Sequence, residues 1–481
     1  MSEKQQMQRR RVDYEGVGDD YMDKRQLQQG AAGWVLLAGL GVAYVISGDF
    51  AGWNFGLAEG GWGGMLIATI LMAVMYTCMV FSLAELSSTI PTAGGGYGFA
   101  RRALGPLGGF MTGTAILIEY AIAPAAIAVF IGAYVDSLIG IGGPVVYLVF
   151  YIVFIGVHLY GVGEALKIMF VITGIAALAL LAFVIGMIPK FDAANLTNIA
   201  PNDAAGASDF LPLGYAGVLA SFVYGIWFFL AIEGVPLAAE EARDPAKDMP
   251  RGLIAGMLVL LVFAALILVV GPGGAGAKAL GDSSNPLVTA VEEAYGGSNA
   301  LSSFVNVVGL LGLVASFFSI IFGYSRQIFA LSRAGYLPPA LSVTSSRKVP
   351  YIALIVPGII GFLISLTDST GNRLIQIAVF GATVSYVLML LSHIILRRRE
   401  PELERPYRTP GGVATSGIAL VLACAAVVAV FVVDPTAALI TLGVYAAFIA
   451  YFLLYSRHHL VASAPEEEFA AVQASEKEIA R

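Results

Sequence analysis

Apolar stretches of roughly twenty residues recur along this chain, and each is long enough to cross a hydrocarbon layer about 30 Å thick as a helix. Inside lipid every backbone N–H and C=O must find a partner within the protein, so a run of such stretches leaves few options besides a bundle of helices. Composition agrees. The 481 residues are 58% hydrophobic and 12% charged, with mean hydropathy +0.80, where a soluble domain would carry about 25% charged residues. The spans read as 33–58, 62–88, 105–138, 144–162, 165–189, 214–241, 251–272, 300–334, 350–367, 372–396, 414–433 and 435–456. An all-α polytopic membrane protein with twelve transmembrane helices is expected.

The first 29 residues are polar, and no short apolar run leads to a small-residue cleavage site, so no cleaved signal is expected. Cys78 and Cys424 both fall inside apolar spans, which argues against a disulfide framework. Metal-ligand spacing, phosphate loops, nucleophile–base pairs and nucleic-acid patches are lacking in the sequence. Neither an enzyme, a resident cofactor nor a nucleic-acid partner is expected. If the chain starts in the cytoplasm, 24 of its 27 Lys and Arg lie on that side, all but Lys190, Lys278 and Arg373. The positive-inside bias then places both termini in the cytoplasm. Both tails read as solvated appendages without chemistry of their own.

Two spans carry interruptions where the middle of the membrane should be. The first reads Tyr44-Val45-Ile46-Ser47-Gly48-Asp49-Phe50, and the sixth reads Ile226-Trp227-Phe228-Phe229-Leu230-Ala231-Ile232-Glu233-Gly234-Val235-Pro236. Glycine weakens a helix, and Pro236 removes a donor and clashes with the preceding turn, so the ladder is expected to open just before it. Opened backbone at that depth needs protein or a water-filled cavity around it, and offers free N–H and C=O groups to a ligand. A pair of broken helices in corresponding places of two halves is the mark of an inverted-repeat transporter.

Three further strings carry a family resemblance. After the second span the chain reads Pro91-Thr92-Ala93-Gly94-Gly95-Gly96-Tyr97-Gly98-Phe99-Ala100-Arg101-Arg102-Ala103-Leu104-Gly105-Pro106, expected as a loop. After the sixth it reads Ala239-Glu240-Glu241-Ala242-Arg243-Asp244-Pro245-Ala246-Lys247-Asp248-Met249-Pro250-Arg251, and the eighth closes on Ser325-Arg326-Gln327-Ile328-Phe329-Ala330-Leu331-Ser332-Arg333-Ala334-Gly335-Tyr336-Leu337-Pro338. In this order they resemble the amino acid-polyamine-organocation superfamily over nearly the whole chain. The string Val45 to Leu57 is similar to its ethanolamine permease branch.

The resemblance implies a five-plus-five inverted repeat with two extra helices, helices 1 and 6 broken at the midplane, and substrate held between spans 1, 3, 6, 8 and 10. The expected division is a tail 1–29, a first repeat 30–189, an outer loop 190–213, a second repeat 214–396, a cytoplasmic loop 397–413, spans 414–456 and a tail 457–481. A bacterial inner membrane is the expected location. Many relatives carry a lysine midway along span five, where this chain has Ala176, with Lys167 nearer the helix end. The coupling ion, proton or sodium, therefore stays open.

The chemistry of the first break points to the substrate. Amino-acid carriers of this type have a Gly-x-Gly backbone there, whose N–H groups receive the substrate carboxylate. Here the triplet is Ser47-Gly48-Asp49, and a carboxylate beside that nest repels another. A small cationic amine with a neutral far end, ethanolamine above all, fits better. The alternative is an amino-acid or polyamine carrier. Glu119, Tyr120 and Glu233 are expected to face the same cavity as Asp49, so that three carboxylates converge and at least one holds a proton when the site is empty. Glu233 matches a family acid linked to proton-dependent gating. Tyr224, Trp227, Phe228, Phe229 and Trp53 supply aromatic faces for a cation, and Ala231 completes the expected lining.

Competing readings of the same residues are structural. Glu119 can pair with Arg326, Glu233 can bond to the broken first helix, and the aromatics can be packing. Ser316 and Ser319 can face a sodium site or simply pack between helices, and His158 and His393 read as interfacial.

Overall fold

The computed structural model describes residues 12–467 apart from residues 19, 28, 29 and 31. Parts of both expected tails, 1–11 and 468–481, lie outside the described residues. The helices that build the bundle begin with α1 (Trp34–Val45), the short α2 (Ser47–Phe50), α3 (Phe55–Thr89), α4 (Gly96–Ile139), α5 (Pro144–Tyr160) and α6 (Val162–Met187). Then come α7 (Gly214–Ala220), α8 (Phe222–Trp227), a 3₁₀ helix (Ile232–Glu241), α9 (Pro245–Ala275), α10 (Ala277–Leu280) and α11 (Pro286–Tyr295). The chain continues through α12 (Ala300–Arg333), α13 (Tyr351–Ser365), α14 (Asn372–Arg399), α15 (Val413–Val433) and α16 (Pro435–Leu454). Among the described residues nine helices are long and apolar enough to cross a membrane. Three shorter apolar ones, Trp34–Phe50, Pro144–Tyr160 and Tyr351–Ser365, stand where the first, fourth and ninth spans are expected.

Burial is inverted relative to a soluble protein. Val145, Ile185, Val421 and Leu454 point outward from the bundle, while Asp49, Glu119 and Glu233 are sealed inside it. Lipid accepts the outward apolar side chains, and the polar ones gather where helices meet. Helices α12 and α14 pack along α4, and α9 lies against α1 and α3.

Two glycines turn the chain sharply. Gly61 (φ 66°) kinks α3, and Gly105 (φ 83°) kinks α4. Consequently the string after the second span is not a loop. From Gly96 it is helix, and Gly105 marks where that helix redirects into the long span.

One end of the bundle collects the basic residues and is cross-tied by ion pairs. Glu85 on α3 accepts from Arg397 Nε at 2.8 Å and from the Thr409 N–H at 2.7 Å, and stands 3.0 Å from Arg405 Nε. His393, fully buried, adds a contact to Glu85 at 3.3 Å, and His158 is buried too, its Nε2 3.0 Å from the Phe318 carbonyl. Both rings are therefore packed between helices rather than exposed at the surface. The start of α1 is also sewn to the end of the 3₁₀ helix, through Ala32 N–H to Glu241 O at 3.0 Å and Arg243 N–H to Ala32 O at 2.9 Å.

The described parts of the tails are built into this basic face, contrary to the expectation of solvated appendages. Strand β1 (Tyr14–Glu15) pairs in parallel with β2 (Leu460–Val461). Glu467, fully buried, binds Arg101 through both carboxylate oxygens and accepts from the Tyr336 hydroxyl at 3.0 Å. Glu466 and Glu240 both pair with Arg333. A surface rich in buried guanidinium groups needs acids to cover it, and the C-terminal segment supplies two.

Candidate functional site

The first helix loses its backbone ladder twice. At Ser47 the N–H does not continue the helix; it donates to Ser316 Oγ on α12 at 2.9 Å, and that hydroxyl donates on to Ala43 O at 2.7 Å. A side chain inserted into the ladder in this way is a recognised cause of a kink. One turn later Ala51 goes extended (φ −159°, ψ 156°) and Gly52 takes φ 95°. The carbonyls released there are taken up by side chains: Tyr134 OH donates to Phe50 O at 3.0 Å and Trp227 Nε1 to Ala51 O at 2.9 Å.

The sixth helix opens after Trp227, the last residue of α8, and Ala231 sits at φ 80°, a left-handed conformation costly for a residue with a Cβ. It resumes as a 3₁₀ helix that carries Pro236 inside it. The break thus falls upstream of the position expected from the proline, because the fixed φ of Pro suits 3₁₀ geometry. Close approach of the first helix sets the position instead. A Cβ on Gly48 would lie 2.4 Å from Trp227 O, so the two broken segments meet backbone to backbone.

Around this junction the expected residues take different roles. Trp227 spends its indole N–H on the first break, and Phe130 meets its ring edge-on. Phe228 stacks on Trp53 at 5.4 Å between centroids, and Phe229 lies against Tyr76. Tyr224 donates its hydroxyl to Asn372 Oδ1 at 2.8 Å and accepts from Gln376 Nε2 at 3.1 Å, tying α8 to α14. Tyr120 stacks on Tyr44 and directs its hydroxyl at Ala231 O, 3.5 Å away. Gly234 is required there, since a Cβ would come within 2.4 Å of that hydroxyl.

Two acids come together. Glu119 on α4 and Glu233 in the first turn of the 3₁₀ helix are close enough to act on each other electrostatically, and Tyr386 reaches Glu233 from α14. Tyr386 in turn shares a 2.8 Å hydroxyl contact with Tyr76. Among the described residues Asp49 has no charged or hydrogen-bonding neighbour of its own. Both oxygens of Asp49, Glu119 and Glu233 lack a hydrogen bond of ordinary geometry, although all three side chains are shut off from solvent. Arg326 does not answer Glu119: its guanidinium pairs with Glu241 at 2.6 Å.

The sequence does not single out Tyr76 and Tyr386, because a tyrosine in an apolar helix gives no sign of which face it occupies. Ser316 bridges α12 to the kinked helix, and neighbouring Ser319 keeps a buried hydroxyl without a partner. Ala176 faces Gly312 on α12, the same glycine whose missing side chain makes room for Phe50. Among the described residues no group of three or more His, Cys, Asp and Glu is placed to hold a metal ion.

The family model described as amino acid permease matches residues 35–465. An uncharacterised transporter of Rhizobium meliloti strain 1021 is 31% identical over 402 residues, covering 82% of this chain and 84% of that protein. The branched-chain amino acid permease of Bacillus subtilis strain 168 is 26% identical, over 74% of this chain and 78% of its own. The methylthioribose transporter of the same strain is also 26% identical, over 76% and 79%. Apolar helices, paired helix breaks and a family match across both breaks agree: the chain belongs to the amino acid permease family and is a multi-pass membrane transporter of small organic solutes.

Proposed function

We propose that this transporter imports a small organic cation, ethanolamine being the leading candidate, by alternating access around the two helix breaks. The observation that carries the reading is the set of buried carboxylates at Asp49, Glu119 and Glu233, none with a hydrogen bond of ordinary geometry and, among the described residues, none paired with a guanidinium. An acid at bilayer depth costs about 2.5–3.5 kcal/mol on insertion scales, so three with no cationic partner call for a cation or protons. An ammonium group meets Asp49 at the first break, and a neutral hydroxyl end leaves the second pair undisturbed. Substrate lining by Ser47, Gly48, Asp49, Glu119, Tyr120, Tyr224, Trp227, Phe228, Phe229, Ala231 and Glu233 belongs to this proposal.

Glu233 serves as the coupling group, exchanging a proton with Glu119 as the cavity fills and empties. Sodium coupling remains the competing arrangement, with the Ser319 hydroxyl as its point of departure. Within the five-plus-five repeat, 30–189 and 214–396, the bundle of spans 1, 2, 6 and 7 rocks against the rest while the site stays at the midplane of a bacterial plasma membrane, and the concentration of Lys and Arg at one face favours both termini inside. A second reading, an amino-acid permease or exchanger, draws on the branched-chain amino acid permeases among the relatives.

The test is uptake of labelled ethanolamine into proteoliposomes, competed in parallel with choline, putrescine, glycine, alanine and leucine. Saturable ethanolamine uptake that Asp49→Asn abolishes in a folded protein supports the proposal. Preference for leucine or alanine over every amine overturns it in favour of the second reading.

A further inference from the structure

A cleft of about 560 Å³ opens on the side of the basic face, between the start of α1, the first turns of α9 and the segment that follows α14. Its wall is graded. Lys247, Arg251, Ile254, Leu258 and Val262 follow one another at spacings of three and four along α9, so they share one face of that helix. The face starts with two cations and ends in side chains left open to the surrounding membrane, Leu258 at 58% exposure and Val262 at 56%. Trp34 and Tyr407 flank the cationic end, and aromatic side chains of this kind gather at the boundary between lipid and water.

We propose that this cleft binds an anionic membrane phospholipid, its phosphate against Arg251 and Lys247 and one acyl chain along Ile254 and Leu258. The charges are available for it. Among the described residues the Arg251 guanidinium has no ion pair or hydrogen bond, while Lys247 is held only by exposed Asp244 at 2.9 Å. The other nearby acid, Asp248, is turned inward and accepts the Asp244 N–H. A guanidinium gives a phosphate two parallel donors, and basic pockets at the membrane boundary recognise headgroups by that chemistry. Free phosphate shares the headgroup chemistry, but it makes no use of the apolar stripe below. The lipid is therefore the occupant, and it touches α1, α9 and the 400–412 segment together.

Native mass spectrometry of the full-length protein, titrated with phosphatidylglycerol, phosphatidylcholine or inorganic phosphate, tests this. Phosphatidylglycerol is expected to bind about ten-fold more tightly than phosphatidylcholine, and the Lys247→Gln/Arg251→Gln double variant to remove that preference. Arg398→Gln, an exposed cation elsewhere on the same face, is expected to keep it. Equal binding of the two lipids, an unaltered preference in the double variant, or inorganic phosphate displacing phosphatidylglycerol at equal concentration would each overturn the proposal. Should the double variant fail to fold, photoactivatable phosphatidylglycerol on the unaltered protein decides: crosslinks in residues 246–258 support the site, and crosslinks spread evenly over the lipid-facing helices refute it.

Discussion

Asp49, Glu119 and Glu233 share burial but not surroundings. Glu119 and Glu233 lean on each other, with Tyr386 and Tyr76 behind them, whereas Asp49 stands alone beside the first break. Replacing a buried acid that has no cationic partner by its amide removes a desolvation cost and leaves the shape, so Asp49→Asn, Glu119→Gln and Glu233→Gln should each keep or raise the melting temperature while uptake falls. Heating curves and uptake measured on the same preparation check this pairing of outcomes. A double-mutant cycle separates the acids further. Glu119 with Glu233 should depart from additivity by about 0.5–3 kcal/mol, and Asp49 with either should be additive within about 0.5 kcal/mol.

All three acids were legible in the sequence because a charge inside an apolar span has few reasons to be there. Their division into a pair and a single residue was not. It depends on how α4, α14 and the 3₁₀ helix turn toward one another, which no spacing encodes.

At the scale of elements, the presence of two broken helices could be read from Gly48, Gly234 and Pro236, but their positions could not. The first break is set by Ser316, which lies 269 residues away in sequence from the N–H it accepts, and the second by the approach of Gly48 to Trp227 O. Ser316→Ala would leave the Ser47 N–H and the Ala43 carbonyl unpaired in a dry interior. A loss of about 1–3 kcal/mol in unfolding free energy is expected, measurable by denaturation in detergent, with Ser319→Ala as the near-neutral comparison.

The turn between α15 and α16 offers a pH readout away from the site. Asp434 accepts from the Ala437 N–H and pairs with Arg373, each at 2.9 Å. Burial raises its carboxyl pKa, but the N–H bond and the guanidinium outweigh that and hold it below the ordinary 3.8. A carboxyl lowered on folding stabilises the fold above its unfolded value and stops doing so as pH falls through the folded one. Asp434→Asn should therefore cost about 1 kcal/mol or less at neutral pH and nothing once the medium is well below 3.8, as melting temperatures across pH would record.

Over the whole molecule, the all-helical architecture and the nine membrane-length helices among the described residues follow from apolar run length, since a bilayer fixes what length a span must have. The tails escaped the same reading. Their residues are polar, and polarity alone does not distinguish a side chain in water from one paired with a buried guanidinium. The described parts of both tails converge on the basic face, where Glu467 joins Arg101 of α4 to Tyr336 beyond α12, and Glu466 meets Arg333 beside Glu240 of the broken sixth helix. The C-terminal segment thus spans elements that must separate if the cavity is to open toward this face. Removing one partner of a buried ion pair leaves the other uncompensated, at about 3–5 kcal/mol. Glu467→Gln should release the segment as a unit, seen as fast hydrogen exchange and protease cleavage across residues 456–467 while α4 and α12 stay protected. If the segment holds the face shut, the released variant should also exchange internal for external substrate faster than the unaltered protein. Release with unchanged exchange would assign the segment to folding alone, and protection equal to that of the unaltered protein would show that Glu467 does not hold it.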